Sequence, residues 1–247
     1  MRAAVLRNIG DEVLEVRDDI EVTDPGPGQV KVKIEATGVC HSDLSVMNGT
    51  IPQPAPAVLG HEGAGIVDEV GEGVTSLSPG DHVIVAWSPP CGICEFCTGR
   101  GQPNLCSNIQ FGSMAVPHFH QDGEPVNGMA GAGTWAEATV LPQEGAVKID
   151  DDVPLEVASL IGCAVMTGVG AAINTAKVTP GSSVVVFGCG GVGISAIQGA
   201  RIAGAADIVA VDLNEAKLDT AKGFGATHDL QDLSGNRCLT CFVVFQC

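Results

Sequence analysis

Val184-Val185-Val186-Phe187-Gly188-Cys189-Gly190-Gly191-Val192-Gly193 is the stretch whose reading decides the fold. Ser183–Phe187 is a short β-branched run, and Val192–Ala203 is a helix of small residues. Between them Gly188, Gly190 and Gly193 spell G-x-G-x-x-G. Gly188 allows the tight turn, Gly190 lets a pyrophosphate approach the backbone, and Gly193 lets helix and strand pack closely. The helix N-terminus adds N–H donors and the positive end of its dipole. The motif alone is weak, because a glycine-rich packing loop has the same letters. Its context strengthens it: Asp212 follows the next strand, Ile208–Val211, 19 residues past Gly193. A carboxylate there accepts from both ribose hydroxyls and repels a 2′-phosphate, which predicts NAD rather than NADP. Asn214–Gly223 reads as a further helix with Asn214 at its N-cap. Strand-helix-strand-helix opens a parallel α/β sheet.

Upstream the pattern changes. Val30, Val32 and Ile34 alternate with Lys31, Lys33 and Glu35, the period of a half-buried strand. Ile66–Val70, Val83–Ala86 and Trp135–Val140 are further strand candidates, separated by turn signals such as Pro25-Gly26-Pro27-Gly28 and Ser78-Pro79-Gly80-Asp81. All 14 prolines lie at or before Pro180. A probable-helix signal at Pro154-Leu155-Glu156 links this β-rich part to the α/β part. The division expected is residues 1–164 and 165–247.

Two sets of metal-ligand residues stand out. Gly60-His61-Glu62-Gly63-Ala64-Gly65 places an imidazole and a carboxylate among three glycines, with Cys40-His41-Ser42-Asp43 before it and Gly162-Cys163 after it. Two thiolates, an imidazole and a vacant fourth position are the ligand set of a catalytic zinc. Each cysteine taken singly reads as a small core residue. The second set, Cys91, Cys94, Cys97 and Cys106, reads C-x2-C-x2-C-x8-C. Four thiolates so close in sequence close a tetrahedral structural zinc site. A ferredoxin-type cluster is the main rival, but it wants three residues before the last cysteine and a proline after it. Here eight intervene and Ser107 follows. Unmetallated thiols are the remaining alternative.

The 247 residues are 45% hydrophobic, enough for a sizeable core in one or two domains. Twelve Lys+Arg against 29 Asp+Glu give a net charge of −17, which argues against a nucleic-acid partner. Met1–Arg7 has no long apolar stretch of the signal-peptide kind, and no run reaches the length of a membrane span. Ten cysteines in metal-type spacings without a signal point to a reducing cytoplasm.

With these pieces placed, the chain resembles the zinc-containing medium-chain alcohol dehydrogenases, from residue 1 to about Asp229. Gly60-His61-Glu62-x2-Gly65-x5-Gly71-x2-Val74 matches that family's zinc signature. The resemblance implies a mixed α/β protein: a GroES-like, β-rich catalytic domain followed by a Rossmann domain. It implies an enzyme that moves hydride between a small-molecule alcohol, primary or aromatic, and NAD, with two Zn2+ per chain. Cys40, His61 and Cys163 would hold the catalytic zinc, with Glu62 approaching the metal as ligands exchange. Asp43 would orient His61, and Ser42 would take the alcohol proton. His41 would face the pyrophosphate, Thr167 and Val192 would back the nicotinamide, and Lys217 would reach the adenosine ribose. Trp87 and Trp135 fall at the aromatic walls of the substrate pocket. Many members carry a histidine where Ser45 stands here, so the proton needs water or another base to leave. The loop Ser107–Gly133 has no counterpart reading, and its His118 and His120 read as solvated loop residues.

After Asp229 the text ceases to resemble the family. Residues 230–247 hold three cysteines and no glycine loop; Cys241–Phe245 has strand character, but too little chain precedes it for a parallel crossover. The expectation is a truncated or frame-shifted chain with a partial Rossmann domain. It lacks the second half-sheet, a wall of the nicotinamide pocket and the dimer edge of the family's homo-oligomers. Two readings follow: an active dehydrogenase, or a catalytically impaired zinc-binding fragment of one. The edge beside Val184–Phe187 would then be an aggregation hazard.

Cys94→Ser should lower zinc content and destabilise the cysteine lobe. Metal analysis of the purified variant checks this, and unchanged stoichiometry would sink the assignment.

Overall fold

The computed structural model describes residues 1–108 and 117–231. It divides into two units, Met1–Gly162 and Cys163–Cys247, and is of the mixed α/β class expected.

The first unit contains eleven strands among its described residues. In chain order these are β1 Ala3–Leu6, β2 Glu15–Arg17, β3 Glu21–Val22, β4 Gln29–Thr37, β5 Ala57–Val58, β6 Gly63–Val70, β7 His82–Val85, β8 Phe119–Gln121, β9 Glu124–Gly128, β10 Ala138–Pro142 and β11 Ala146–Lys148. One sheet runs β10-β4-β6-β7-β11, all antiparallel; the other runs β2-β1-β5-β9-β8-β3. The period-2 pattern of β4 does what it predicts: Val30 and Val32 are fully buried, and Lys31 and Lys33 pair with Glu69 and Glu35 at the surface. Val30 and Val32 pack with Val67, Val83, Val85 and Leu141 in one core. Fully burying a side chain of this size is worth about 1.5–3 kcal/mol. Gly65 lies so close to the Lys33 carbonyl that a Cβ would overlap it, beside a slip in the β4–β6 register between Ile34 and Ala36.

Two expectations need correction here, and a third, the helix opening at Pro154, is met in a short form. The strand expected at Trp135–Val140 begins at Ala138; before it, Trp135 and Ala136 tie to Leu59 and Ala3 instead, where the isolated Ala3–Ala136 bridge meets β1. The helix at Pro154 is one short piece, α2 (Leu155–Ala158), which tightens into a 3-10 turn at Ser159–Gly162. Residues 117–133 are not an open loop. They carry the β8–β9 hairpin, and His118 is buried at 7% exposure, with its Nε2 3.0 Å from Thr139 Oγ1. The strands and turns here are too short for periodicity to reveal. A helix that the sequence reading omitted, α1 (His41–Met47), lies between β4 and β5.

In the second unit α3 (Ala164–Gly170) precedes the expected β12 (Ser183–Phe187), α4 (Gly191–Ile202), β13 (Asp207–Val211) and α5 (Glu215–Phe224). A further strand, β14 (His228–Leu230), completes a parallel sheet in the order β12-β13-β14. Asn214 caps α5 as expected, accepting from Ala216 N at 3.0 Å. Val184, Val186, Ile197, Ile208 and Leu218 form the core under the helices. Gly168 and Gly199 let α3 and the helix end at Ala171–Thr175 lie directly on α4; a Cβ at Gly168 would overlap the Val192 carbonyl. The tail from residue 232, including Cys241–Phe245, lies outside the described residues. No single helix among the described residues is long and apolar enough to cross a membrane.

Gly65→Ala should destabilise the first unit by about 1–3 kcal/mol, because backbone must move to admit the methyl. Gly223→Ala, inside α5 with open space at its Cβ, should stabilise by about 0.5–1 kcal/mol. Urea midpoints of the two variants should move in opposite directions.

Candidate metal centre and nucleotide loop

Helix α1 starts at Cys40, and the way it starts builds the first site. Cys40 has extended backbone (φ −115°, ψ 156°) and is the N-cap. Its sulfur accepts from Ser42 N at 3.5 Å, and Asp43 Oδ2 accepts from Cys40 N at 2.8 Å, a reciprocal capping box. Asp43 then reaches beyond its helix. Its Oδ1 accepts from Gly60 N at 3.2 Å and lies 3.2 Å from His61 Nδ1. A carboxylate only accepts, which assigns the proton to Nδ1 and makes Nε2 the ring nitrogen that would bind a metal. Asp43 and His61 are 2% and 3% exposed. Burial pushes the Cys40 thiol up, but the Ser42 N–H and hydroxyl and the nearby His61 outweigh it, and the net shift is downward, toward thiolate.

Ligand atoms of Cys40, His61 and Glu62 lie within 4.8 Å of one another. Glu62 is 2% exposed, and its carboxylate rests against Gly38. Trp87 meets His61 edge-on, ring centres 6.2 Å apart. Trp135 packs over Gly60 and donates its Nε1–H to the Gly38 carbonyl at 3.0 Å. Both tryptophans therefore border the His61 segment. Ser42 is half-buried, with Oγ 3.6 Å from the Cys40 sulfur. His41 is exposed, its Nδ1 3.3 Å from Ser45 Oγ on the next turn. Cys163 is the first residue of the second unit, one peptide bond after Gly162, and stands at the N-cap of α3.

The cysteine lobe brings its four sulfurs within 4.8 Å of one another. Cys94 Sγ lies 3.5 Å from Cys97 Sγ and 3.8 Å from Cys106 Sγ. A tetrahedron with Zn–S of ~2.3 Å has S···S edges of about 3.8 Å, so the spacing suits that ion. Backbone N–H groups serve the sulfurs, with Cys91 N donating to Cys106 at 3.3 Å, and Asn108 Nδ2 donates to Cys91 at 3.3 Å. The Cys97 N–H draws the Cys94 thiol down to about 5, while burial and the neighbouring Cys94 sulfur push Cys97 up to about 12. Four sulfur donors crowded together in this way are the chemistry that a divalent cation would bind.

In the second unit Gly188 has φ +85°, a conformation that favours glycine, and a Cβ at Gly193 would overlap the Gly188 carbonyl. Gly190 has open space at its Cβ. Asp212 Oδ2 accepts from Cys189 N at 2.8 Å and Oδ1 from Asn214 N at 2.9 Å, with Lys217 Nζ at 3.9 Å. Those donors, Cys189 N–H first, hold the carboxyl below its usual range. The sequence reading foresaw Asp212 at the strand end but not that it also closes the glycine loop. Thr167 in α3 is exposed, and α3 meets Val192 at the start of α4.

The β-rich unit with its two sulfur-bearing donor sets, and the strand–glycine loop–helix beside it in sequence, define the class of zinc-binding dehydrogenases. Residues 26–151 match the model of the alcohol dehydrogenase GroES-like domain, and residues 191–234 match that of zinc-binding dehydrogenases. The chain belongs to the zinc-containing medium-chain alcohol dehydrogenase family. It is 48% identical over 216 residues to an S-(hydroxymethyl)glutathione dehydrogenase of Photobacterium damsela subsp. piscicida, covering 85% of this chain and 58% of that protein. Benzyl alcohol dehydrogenase from Acinetobacter calcoaceticus superposes with a TM-score of 0.83 at 40% identity, covering 92% of this chain and 62% of the other. An alcohol dehydrogenase zinc-binding domain protein from Burkholderia ambifaria gives 0.88 at 37% identity, covering 95% and 65%. The chain spans about three-fifths of the length of the curated relatives it matches, 63% and 58% for two of them.

Asp43→Ala should destabilise the first unit by at least about 2 kcal/mol, because it strips acceptors from the buried Gly60 N–H and the half-buried Cys40 N–H. Chemical denaturation of the metal-free chain checks this; an unchanged midpoint would refute the hub role.

Proposed function

We propose that this chain carries the machinery of a zinc-dependent alcohol dehydrogenase that moves hydride from a primary or aromatic alcohol to NAD+. The observation that carries the reading is the Asp43 carboxylate, which fixes Cys40, Gly60 and His61 together and makes His61 Nε2 the ring nitrogen that would bind a metal. Cys40, His61 and Cys163 would hold the catalytic zinc, and Cys91, Cys94, Cys97 and Cys106 a structural one. When bound, the catalytic ion supplies a Lewis acid that makes an alcohol hydroxyl acidic near neutral pH. Two thiolates and a neutral imidazole balance its charge.

Ser42 Oγ would take the hydroxyl proton while handing its own to water, since Ser45 supplies no base. Asp43 keeps His61 in the ligating tautomer. Glu62 waits beside the ligands as the carboxylate that steps in during exchange. Trp87 and Trp135 wall the alcohol's apolar part, which favours primary and aromatic substrates. In the second unit Gly188, Gly190 and Gly193 would admit the cofactor pyrophosphate. Asp212 and Lys217 take the adenosine ribose, with the Asp212 charge disfavouring a 2′-phosphate. Thr167 and Val192 back the nicotinamide. A reducing compartment such as the cytoplasm suits the seven described cysteines, none of which is in a disulfide.

Purified protein should carry about two zinc ions, and Cys40→Ser about one. Alcohol-dependent formation of NADH, followed by absorbance over a panel of primary and aromatic alcohols, tests the activity. Ser42→Ala should lower kcat by about 10²-fold or more. Zinc at two sites without any NADH binding by fluorescence titration would support the alternative, a zinc-binding but catalytically impaired chain.

A further inference from the structure

Gly38 lies between the end of β4 and the Cys40 cap. Its φ is not in the left-handed region, so its backbone is open to any residue. Its being glycine is therefore a matter of space. Its N–H donates to the Glu62 carbonyl at 2.7 Å, and its own carbonyl accepts the Trp135 Nε1–H at 3.0 Å. A Cβ here would overlap Glu62 Oε2 and stand 3.0 Å from Leu160 Cδ2 and 3.1 Å from Glu62 Cβ. The side chain that Gly38 lacks is thus the volume in which the Glu62 carboxylate sits. That carboxylate is 2% exposed and within 4.8 Å of ligand atoms of Cys40 and His61.

We infer that Gly38 is a positioning residue for the metal centre: its bare Cα forms the niche that parks the Glu62 carboxylate beside Cys40 and His61, and through its carbonyl it locks the Trp135 wall to the same point. A methyl at Gly38 displaces the carboxylate and changes how readily the site exchanges its ion. Outer groups that orient a metal's surroundings commonly alter affinity about 10–100-fold when changed. The inference rests on the reading of Cys40 and His61 as metal ligands.

The test uses the full zinc-loaded chain and a chromophoric chelator. Release should show two phases, and Cys40→Ser should remove the one that belongs to Cys40 and His61. Gly38→Ala should change the rate of that phase about tenfold and leave the other unchanged. In a Glu62→Ala background, where the overlapping oxygen is gone, the same substitution should have little further effect. An unchanged rate in Gly38→Ala, or an equal change with and without Glu62, would overturn the inference. If Cys40→Ser removes neither phase, the metal reading fails instead. The niche is then judged in the metal-free chain: the unfolding midpoint lost in Gly38→Ala should be partly recovered in Gly38→Ala/Glu62→Ala, and strictly additive midpoints would refute it.

Discussion

The buried carboxylate of Asp43 is the constraint on which the first unit's site depends. Its two oxygens accept from Cys40 N, Gly60 N and His61 Nδ1. A carboxylate taken out of water is costly unless its lone pairs are filled, and here the backbone fills them. The same bonds join two stretches of chain: the start of α1, and the turn after β5 with its imidazole. Helix capping and the orientation of the His61 ring are therefore one interaction. A substitution that harms one harms the other.

Around that hub, space is set by absent side chains. Gly60 yields to the Trp135 ring, Gly38 to the Glu62 carboxylate, and Gly65 to the Lys33 carbonyl. Only one of these three, Gly60 at φ +89°, also needs the left-handed region. The others are glycine because a methyl has no room. The second unit repeats the device at Gly193 against Gly188, and there Asp212 ties the loop to the following strand through Cys189 N. In both units a short acid fastens backbone N–H groups beside a glycine turn, which is how a site stays rigid with few side chains of its own.

Local features were legible in the sequence. The cysteine lobe declares itself through spacing alone, since its ligands lie within 16 residues, from Cys91 to Cys106. The Asn214 cap, the β12–α4 glycine loop and the alternation in β4 were equally plain, because each rests on neighbours a few residues apart. The Cys40–Asp43 capping box was also written there, in Cys-His-Ser-Asp, but cysteine is an unusual cap and α1 went unread. His118 went astray for another reason. Its flanks look like loop, and only the β8–β9 hairpin, packed so that His118 meets Thr139, buries it.

The amino-acid sequence by itself determined the family, the residue types of both candidate metal clusters and the glycine loop, because donor chemistry and glycine spacing are properties of residue order. Tertiary structure alone decided that Asp43 also reaches Gly60, that Asp212 closes its own loop, and that Gly38 houses Glu62. Those pairs are 17, 23 and 24 residues apart, counting Asp43–Gly60, Cys189–Asp212 and Gly38–Glu62. No local pattern encodes such distances. They appear when strand pairing and core burial fix where each backbone N–H must find its acceptor.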